Sequence, residues 1–542
     1  MKLKFSRIAL FAVVSVLAVS CGSGDKSGPA IPKDASVVVH INSGSLTKKL
    51  SWEEIKASNW FKEAYANADD SLAKKLMDNP AASGIDIEKD LVFFVKKQGN
   101  ANYMVFEGSV KDAKAFEAFN KQIIKGASVT KAGDLSVIKI DQHDQNGLLT
   151  FNESRFVYIS NAPGGSTLYP PLSQLPGNNA PQEQRKISSD SLQMFATQLY
   201  DLPSSESIYK DDRFAATMKE TGDMHVWINN EQAYGGLAAG MLGMMKLNVL
   251  VEKNATGMTL NFDNGKIAVK TKQYFNDQVL KVLEKYPAKD ISADVVNRIP
   301  SQNVVAAFVM NYPPEGLKEF LKLTGLDGTA NAFLSEVGYS IDEFVKANKG
   351  DLVVAISDIQ PKPDSIVKRI NDDGIEVSEN KGGTDMKFLF ATSVNDKASF
   401  DKMIGIIGSK VGEFGKDGPV KGIEFGINDK WFVTGNSKPY VDQFLAGGNS
   451  KQPFTSRISG QPFGMFIDLQ KAITSASTFT SDSSAKAVSD ASLKMWQDIV
   501  VTGGKVKDGG MSYEAEINLV DKSTNSLKQL NKYFDVLSLH KK

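Results

Sequence analysis

Four histidines, a single cysteine and a Ser-x-x-Lys tetrad are the residues of this 542-residue chain whose types could do chemistry beyond simple charge. His40, His143, His225 and His540 are scattered over an expected strand, a polar loop, a second expected strand and the C-terminus. No two stand at the His-Glu-x-x-His spacing that puts a pair of zinc ligands on one helical face. Ser45-Leu46-Thr47-Lys48 matches Ser-x-x-Lys, yet it lacks the companion motifs, and a chain this rich in Ser and Lys produces such a match by chance. Neither a Gly-x-Ser-x-Gly elbow nor a Gly-x4-Gly-Lys-Ser/Thr phosphate loop is present. Among 63 acidic residues no two carboxylates are singled out as a facing pair. The sequence therefore assigns no catalytic residue, no metal ligand set and no cofactor.

Cys21 is more informative, because of what surrounds it. Lys2, Lys4 and Arg7 form a basic start, and residues 8–19 are an apolar run of signal-peptide length, too short to span a bilayer. The run closes in Leu17-Ala18-Val19-Ser20-Cys21, which resembles the lipobox of bacterial lipoproteins, with Ala18 where that pattern usually has Leu. The resemblance implies cleavage before Cys21 and acylation of its thiol, palmitate included. Residues 22–29, Gly-Ser-Gly-Asp-Lys-Ser-Gly-Pro, read as a flexible tether. The mature protein is thus expected to be anchored to a membrane through N-terminal acyl chains rather than inserted in it. With no second cysteine it can form no internal disulfide, and thiolate catalysis is excluded. Losing the leader removes three of 63 basic residues against 63 acids, leaving a net charge of −3, which offers no field for nucleic acid.

The elements that would position any site come as a tandem repeat. Ile31-Pro32 followed by the β-branched run to Ile41 is echoed by Ile299-Pro300 and the run to Asn311. Asp90-Leu91-Val92 recurs as Asp351-Leu352-Val353, and the passage from Val110 to Phe116 recurs from Val394 to Phe400. Phe151-Asn152-Glu153 recurs as Ile427-Asn428-Asp429, and Leu280-Lys-Val-Leu-Glu-Lys-Tyr286 recurs as Leu527-Lys-Gln-Leu-Asn-Lys-Tyr533. Echoes in one order point to duplication. The domain reading is a leader at 1–20, a linker at 21–30, a first repeat at 31–290 and a second at 297–542. Strand patterns at 36–41, 90–96, 103–110, 135–141 and 148–160 alternate with helical patterns at 50–73 and 111–124. The expected fold class is α+β: two similar lobes, each a mainly antiparallel sheet with helices on one face. In the repeat register the counterpart of His40 falls in the apolar stretch Phe308-Val309-Met310, which favours a partly buried strand histidine over a catalytic one.

Two insertions break the symmetry. Residues 163–189, rich in Pro, Gly, Ser and Asn, read as a loop of the first repeat, and the charged residues 360–384, with the turn Asn371-Asp372-Asp373-Gly374, belong to the second. Residues 234–247 are small and Met-rich; they read as a buried helix, or as an apolar groove lined by Met241, Met244 and Met245. Ser71, Ser191 and Ser365 each follow Asp and precede an aliphatic residue, which resembles the O-glycosylation acceptor of extracytoplasmic proteins in the Bacteroidota.

The lipobox leader, the Ile31-Pro32-Lys33-Asp34-Ala35 start with its Val run, and Trp52-Glu-Glu-Ile-Lys with Trp60-Phe61-Lys62 together resemble a domain-of-unknown-function family of Bacteroidota envelope lipoproteins. That resemblance implies an envelope lipoprotein without established activity. The functional expectation is a lipid-anchored, non-enzymatic binding or scaffold protein, at the outer membrane and facing the periplasm. Its partner would be a protein, a glycan or an apolar ligand; the alternative is an envelope hydrolase whose site is assembled from distant residues.

Overall fold

A computed structural model describes residues 30–68, 71–99, 101–124, 126–142, 145–162, 186–237, 246–370, 376–414, 422–448, 450–477 and 483–539. The protein is a mixed α+β fold built on extensive antiparallel sheet. Its described residues fall into two compact units. The first takes the described parts of Met1–Ala238, Val251–Phe262 and Leu530–Asp535; the second takes those of Ala239–Leu250, Asp263–Gln529 and Val536–Lys542.

The strands of the first unit are β1 (Ala35–Ile41), β2 (Leu91–Gln98), β3 (Ala101–Ser109), β4 (Val129–Ala132), β5 (Leu135–Gln142), β6 (Gln145–Phe151), β7 (Arg155–Asn161), β8 (Met224–Asn229) and β9 (Ala255–Asp263). Antiparallel pairing orders them β4-β5-β6-β7-β3-β2-β1-β8-β9. The second unit holds β10 (Lys266–Tyr274), β11 (Val304–Asn311), β12 (Asn348–Ile370), β13 (Glu376–Val394), β14 (Glu424–Ile427), β15 (Trp431–Gly435), β16 (Phe463–Asp468), β17 (Trp496–Lys507) and β18 (Gly510–Leu519). Its antiparallel order is β10-β18-β17-β16-β11-β12-β13-β15-β14. The run β6-β7-β3-β2-β1-β8-β9 therefore has the same chain order as β14-β15-β13-β12-β11-β16-β17.

In both units the central strand is a β-branched run bounded by Asn, which fits a strand packed on a core. Val38, Val92, Phe94, Val105, Ile159 and Trp227 are fully or almost fully buried in the first unit, and Val309, Val353, Ala391, Val433 and Phe444 in the second. Helices cover these sheets, with starts fixed by local hydrogen bonds. Ser51 and Glu54 form a reciprocal capping box at helix Trp52–Ala57, and Asp112 caps Ala113–Ile123.

Two expectations need revision. Residues 148–160 are not one strand, because Asn152 accepts from the backbone N–H groups of Ser154 and Arg155 and turns the chain between β6 and β7. Residues 360–384 are an outgrowth of the ladder rather than a loop between strands: β12 and β13 remain paired from Gln360↔Asp385 to Ile370↔Glu376.

Candidate functional site

The strand order brings two histidines 185 residues apart in sequence onto one face of the first sheet. His40 on β1 lies directly opposite His225 on β8, and their Nδ1 atoms are 3.2 Å apart. His40 Nε2 is 3.1 Å from Asp90 Oδ2, and His225 Nε2 is 2.9 Å from the backbone oxygen of Glu220. A carbonyl can only accept, so His225 carries its proton on Nε2 and presents a lone pair on Nδ1. His40 Nδ1 must then be the donor between the rings, and a carboxylate at its other nitrogen also calls for a donor. The His225 tautomer is an assignment made from this network. Burial pushes the His225 imidazole below its ordinary range, the Glu220 carbonyl partly counters this, and His40 pushes it lower still.

A second cluster adjoins this one through the chain. Asp223, wholly buried, accepts from the Ser45 hydroxyl, from Lys49 Nζ at 2.7 Å and from the Phe262 N–H at 2.6 Å. Asn42 caps helix Ser43–Lys49 through Ser45 N and donates from Nδ2 to the Gly222 carbonyl. The Ser-x-x-Lys tetrad is thus dissolved by geometry. Lys49, not Lys48, enters the cluster; it sits on the far oxygen of Asp223, and the proton of Ser45 is committed to the same carboxylate. This arrangement fastens a helix to a sheet and does not activate a nucleophile. At the positions of His40 and His225 the second unit pairs Val309 with Gly464, and Asn311 Nδ2 holds Asp351 at 2.7 Å. The imidazole pair has no counterpart there.

A third polar cluster lies where the described chain begins. Glu107 on β3 is buried against Arg155 at the start of β7, whose guanidinium also donates to the Leu199 carbonyl at 3.2 Å and lies over the Tyr200 ring. Burial pushes the Glu107 carboxyl up, while Arg155 and the backbone N–H of Ala30 pull it down. Ile31, next in the chain, is fully buried, and its carbonyl accepts from Ile208 N at 2.9 Å. The fold therefore grips the chain directly after the linker.

Of the residues singled out in sequence, Cys21, His143, Met241, Met244, Met245 and His540 lie outside the described residues. Ser71 opens helix Ser71–Asp78, and Ser365 lies on β12 opposite Lys381. Ser191 stands in the first turn of helix Ser189–Tyr200, its N–H donating to the capping Ser188 hydroxyl at 3.2 Å. Sequence reasoning missed Asp90, Asp223, Glu107 and Arg155 as site residues. Asp90 figured only as a marker of the repeat, and the other three carry no local signal. Among the described residues, no group of three or more His, Cys, Asp or Glu is placed to hold a metal ion. None of the described helices is long and apolar enough to cross a membrane.

These features define a mixed α+β protein with extensive antiparallel sheet and buried polar clusters confined to particular strands. The chain belongs to the family described as Domain of unknown function (DUF4836), whose family model matches residues 29–174 and 178–438. No curated protein matches it. Solved structures of TP0453 show a loose likeness. Crystal form I is 11% identical over 49% of this chain and 88% of its own, with a TM-score of 0.23; crystal form IV is 13% identical over 49% and 87%, at 0.25.

Proposed function

We propose that the protein is a lipid-anchored component of the cell envelope that binds a partner or ligand. The observation that carries this reading is Cys21, the sole cysteine, set between a basic, apolar leader and a Gly/Ser tether. The grip on Ala30 and Ile31 supports it, since a tethered body needs its first folded residues held against the pull of the anchor. That body is read as a tandem duplication of 31–290 and 297–542, supported by the strand order that recurs in the two units. The Met-rich segment with Met241, Met244 and Met245 is the place for an apolar ligand, and Ser71, Ser191 and Ser365 are the places for glycans on an outer-membrane, periplasm-facing protein.

Cell fractionation tests the anchor: Cys21→Ser should move the protein from the membrane to the soluble fraction, and unchanged membrane association would reject the reading. Intact mass of the native protein reads acyl and hexose additions together, and a mass explained by the bare polypeptide would reject both modifications.

A further inference from the structure

β10 belongs to the first half of the sequence, yet it is built into the second unit, antiparallel to β18 from Lys266↔Asn518 through Lys270↔Glu514 to Tyr274↔Gly510. Each strand follows a Gly with positive φ, Gly265 before β10 and Gly509 before β18. Counted from those glycines, Lys270 and Glu514 hold the same position, and they face each other. The pair Lys266↔Asn518 is likewise the mirror of Tyr274↔Gly510. A strand that meets its own equivalent about a central position is the register of a two-fold, isologous contact.

The closing helices of the two halves follow the same logic. Helix Asp277–Lys285, from the first half, lies in the second unit, where it packs on helix Pro314–Leu323. The approach is close enough that a Cβ on Gly316 would stand 3.0 Å from the Cβ of Tyr286. Its sequence echo, helix Ser526–Leu539, keeps its two ends in the second unit and places its middle, Leu530–Asp535, in the first. There Asn531 Oδ1 accepts from Trp60 Nε1 at 2.8 Å and Asp535 Oδ1 from the Trp60 N–H at 3.0 Å.

We infer that the chain is a fused, reciprocally exchanged dimer: each half completes its own unit with the closing helix of the other, and the partner each half recognises is a second copy of its own repeat. This rests on the repeat reading above. Charge has made the pairing directional. β10 carries Lys266, Lys270 and Lys272, whereas β18 carries Glu514 and Glu516, and Lys266 is ion-paired with Glu516. Two β10 strands would set Lys270 against Lys270, and two β18 strands Glu514 against Glu514, a like-charge pairing that is unfavourable. The covalent connector at 287–290 is then not what holds the halves together.

The full-length protein tests this with a protease site inserted between the exposed Pro287 and the half-buried Ala288 and cut after folding. The nicked chain should elute as one species in size exclusion, with the fragments separating only in denaturant. Nicked Lys266→Glu/Lys270→Glu/Lys272→Glu protein should dissociate at least tenfold more readily, and adding Glu514→Lys/Glu516→Lys should restore retention. Separation of the nicked wild type under native conditions overturns the interlock. Retention by the charge-reversed protein overturns β10–β18 as the seam. Either failure leaves the recurrence of strand order, and with it the duplication, untouched.

Discussion

A histidine held neutral inside a sheet couples folding to pH, and His225 is the residue where the sign can be worked out. Its imidazole is pushed below 6.5, so a denatured chain takes up the proton before the folded one does. The associated stability is complete above about pH 6.5 and is lost as pH falls through and below that value. The titratable groups facing it are His40 on β1, Asp90 ahead of β2 and Glu220 before β8. We expect the denaturant midpoint to fall on acidification from pH 7.5 to 5, and His225→Gln, which can still donate to the Glu220 carbonyl, to flatten that slope; parallel profiles would show that the pair does not titrate on unfolding. Glu107 works in the opposite sense, its raised carboxyl costing stability as pH climbs past its usual range, so the difference between the two profiles is the informative quantity. Arg155→Ala strands that carboxylate in the interior and should cost about 3–5 kcal/mol in equilibrium unfolding, while replacing both partners with Gln and Met should cost far less. Equal losses would mean that packing, not charge, dominates. Little of this was legible beforehand. His40 and His225 were visible as residues, but a contact across 185 positions is created by strand order, which no local pattern encodes.

Strands and capped helices were largely readable, because alternation and capping residues are local: β1, β2, β3 and helix Ala113–Ile123 fall where the pattern puts them. The misreadings have physical causes. Asn152 turns the chain inside an otherwise continuous apolar stretch. The 360–384 segment, with Pro361 and Pro363, reads as a loop because a ribbon that, among the described residues, pairs within itself has no core face to impose apolar alternation. β11 stops pairing with β12 at Ser357, and β15 meets β13 only from Leu389 onward, so among the described residues the outer ladder supports no other strand by pairing. Replacing residues 361–384 with a two-residue turn, as between β2 and β3, should leave the thermal midpoint within about 3 °C of the parent. A drop of 10 °C or more by calorimetry would show that the ribbon braces the second unit.

At the scale of the molecule, the ordered echoes of the sequence agree with the strand order that recurs in the two units, whereas the exchange of closing helices inferred above has no sequence signal, since sequence likeness says nothing about which unit a helix joins. That exchange bears on how the first unit is stabilised. Helix Asn59–Ala66 begins without a side-chain cap from Ser58, leaving its first N–H groups in need of acceptors. The Asp535 carboxylate accepts from the Trp60 N–H and places a negative charge at that helix start, and Asn531 takes the indole N–H of the same residue. The cap therefore comes from 475 residues away in sequence. Removing residues 526–542 should strip it, and hydrogen exchange should rise across Trp52–Ala57 and Asn59–Ala66 while β11 and β12 of the second unit keep their protection. Asn531→Ala/Asp535→Ala should give a milder form of the same pattern, with a loss of about 1–2 kcal/mol for the missing cap. Unchanged exchange in those two helices after truncation would mean that they are stable without the closing helix, and exchange rising equally in β11 and β12 would mean that the truncation unfolds the protein as a whole.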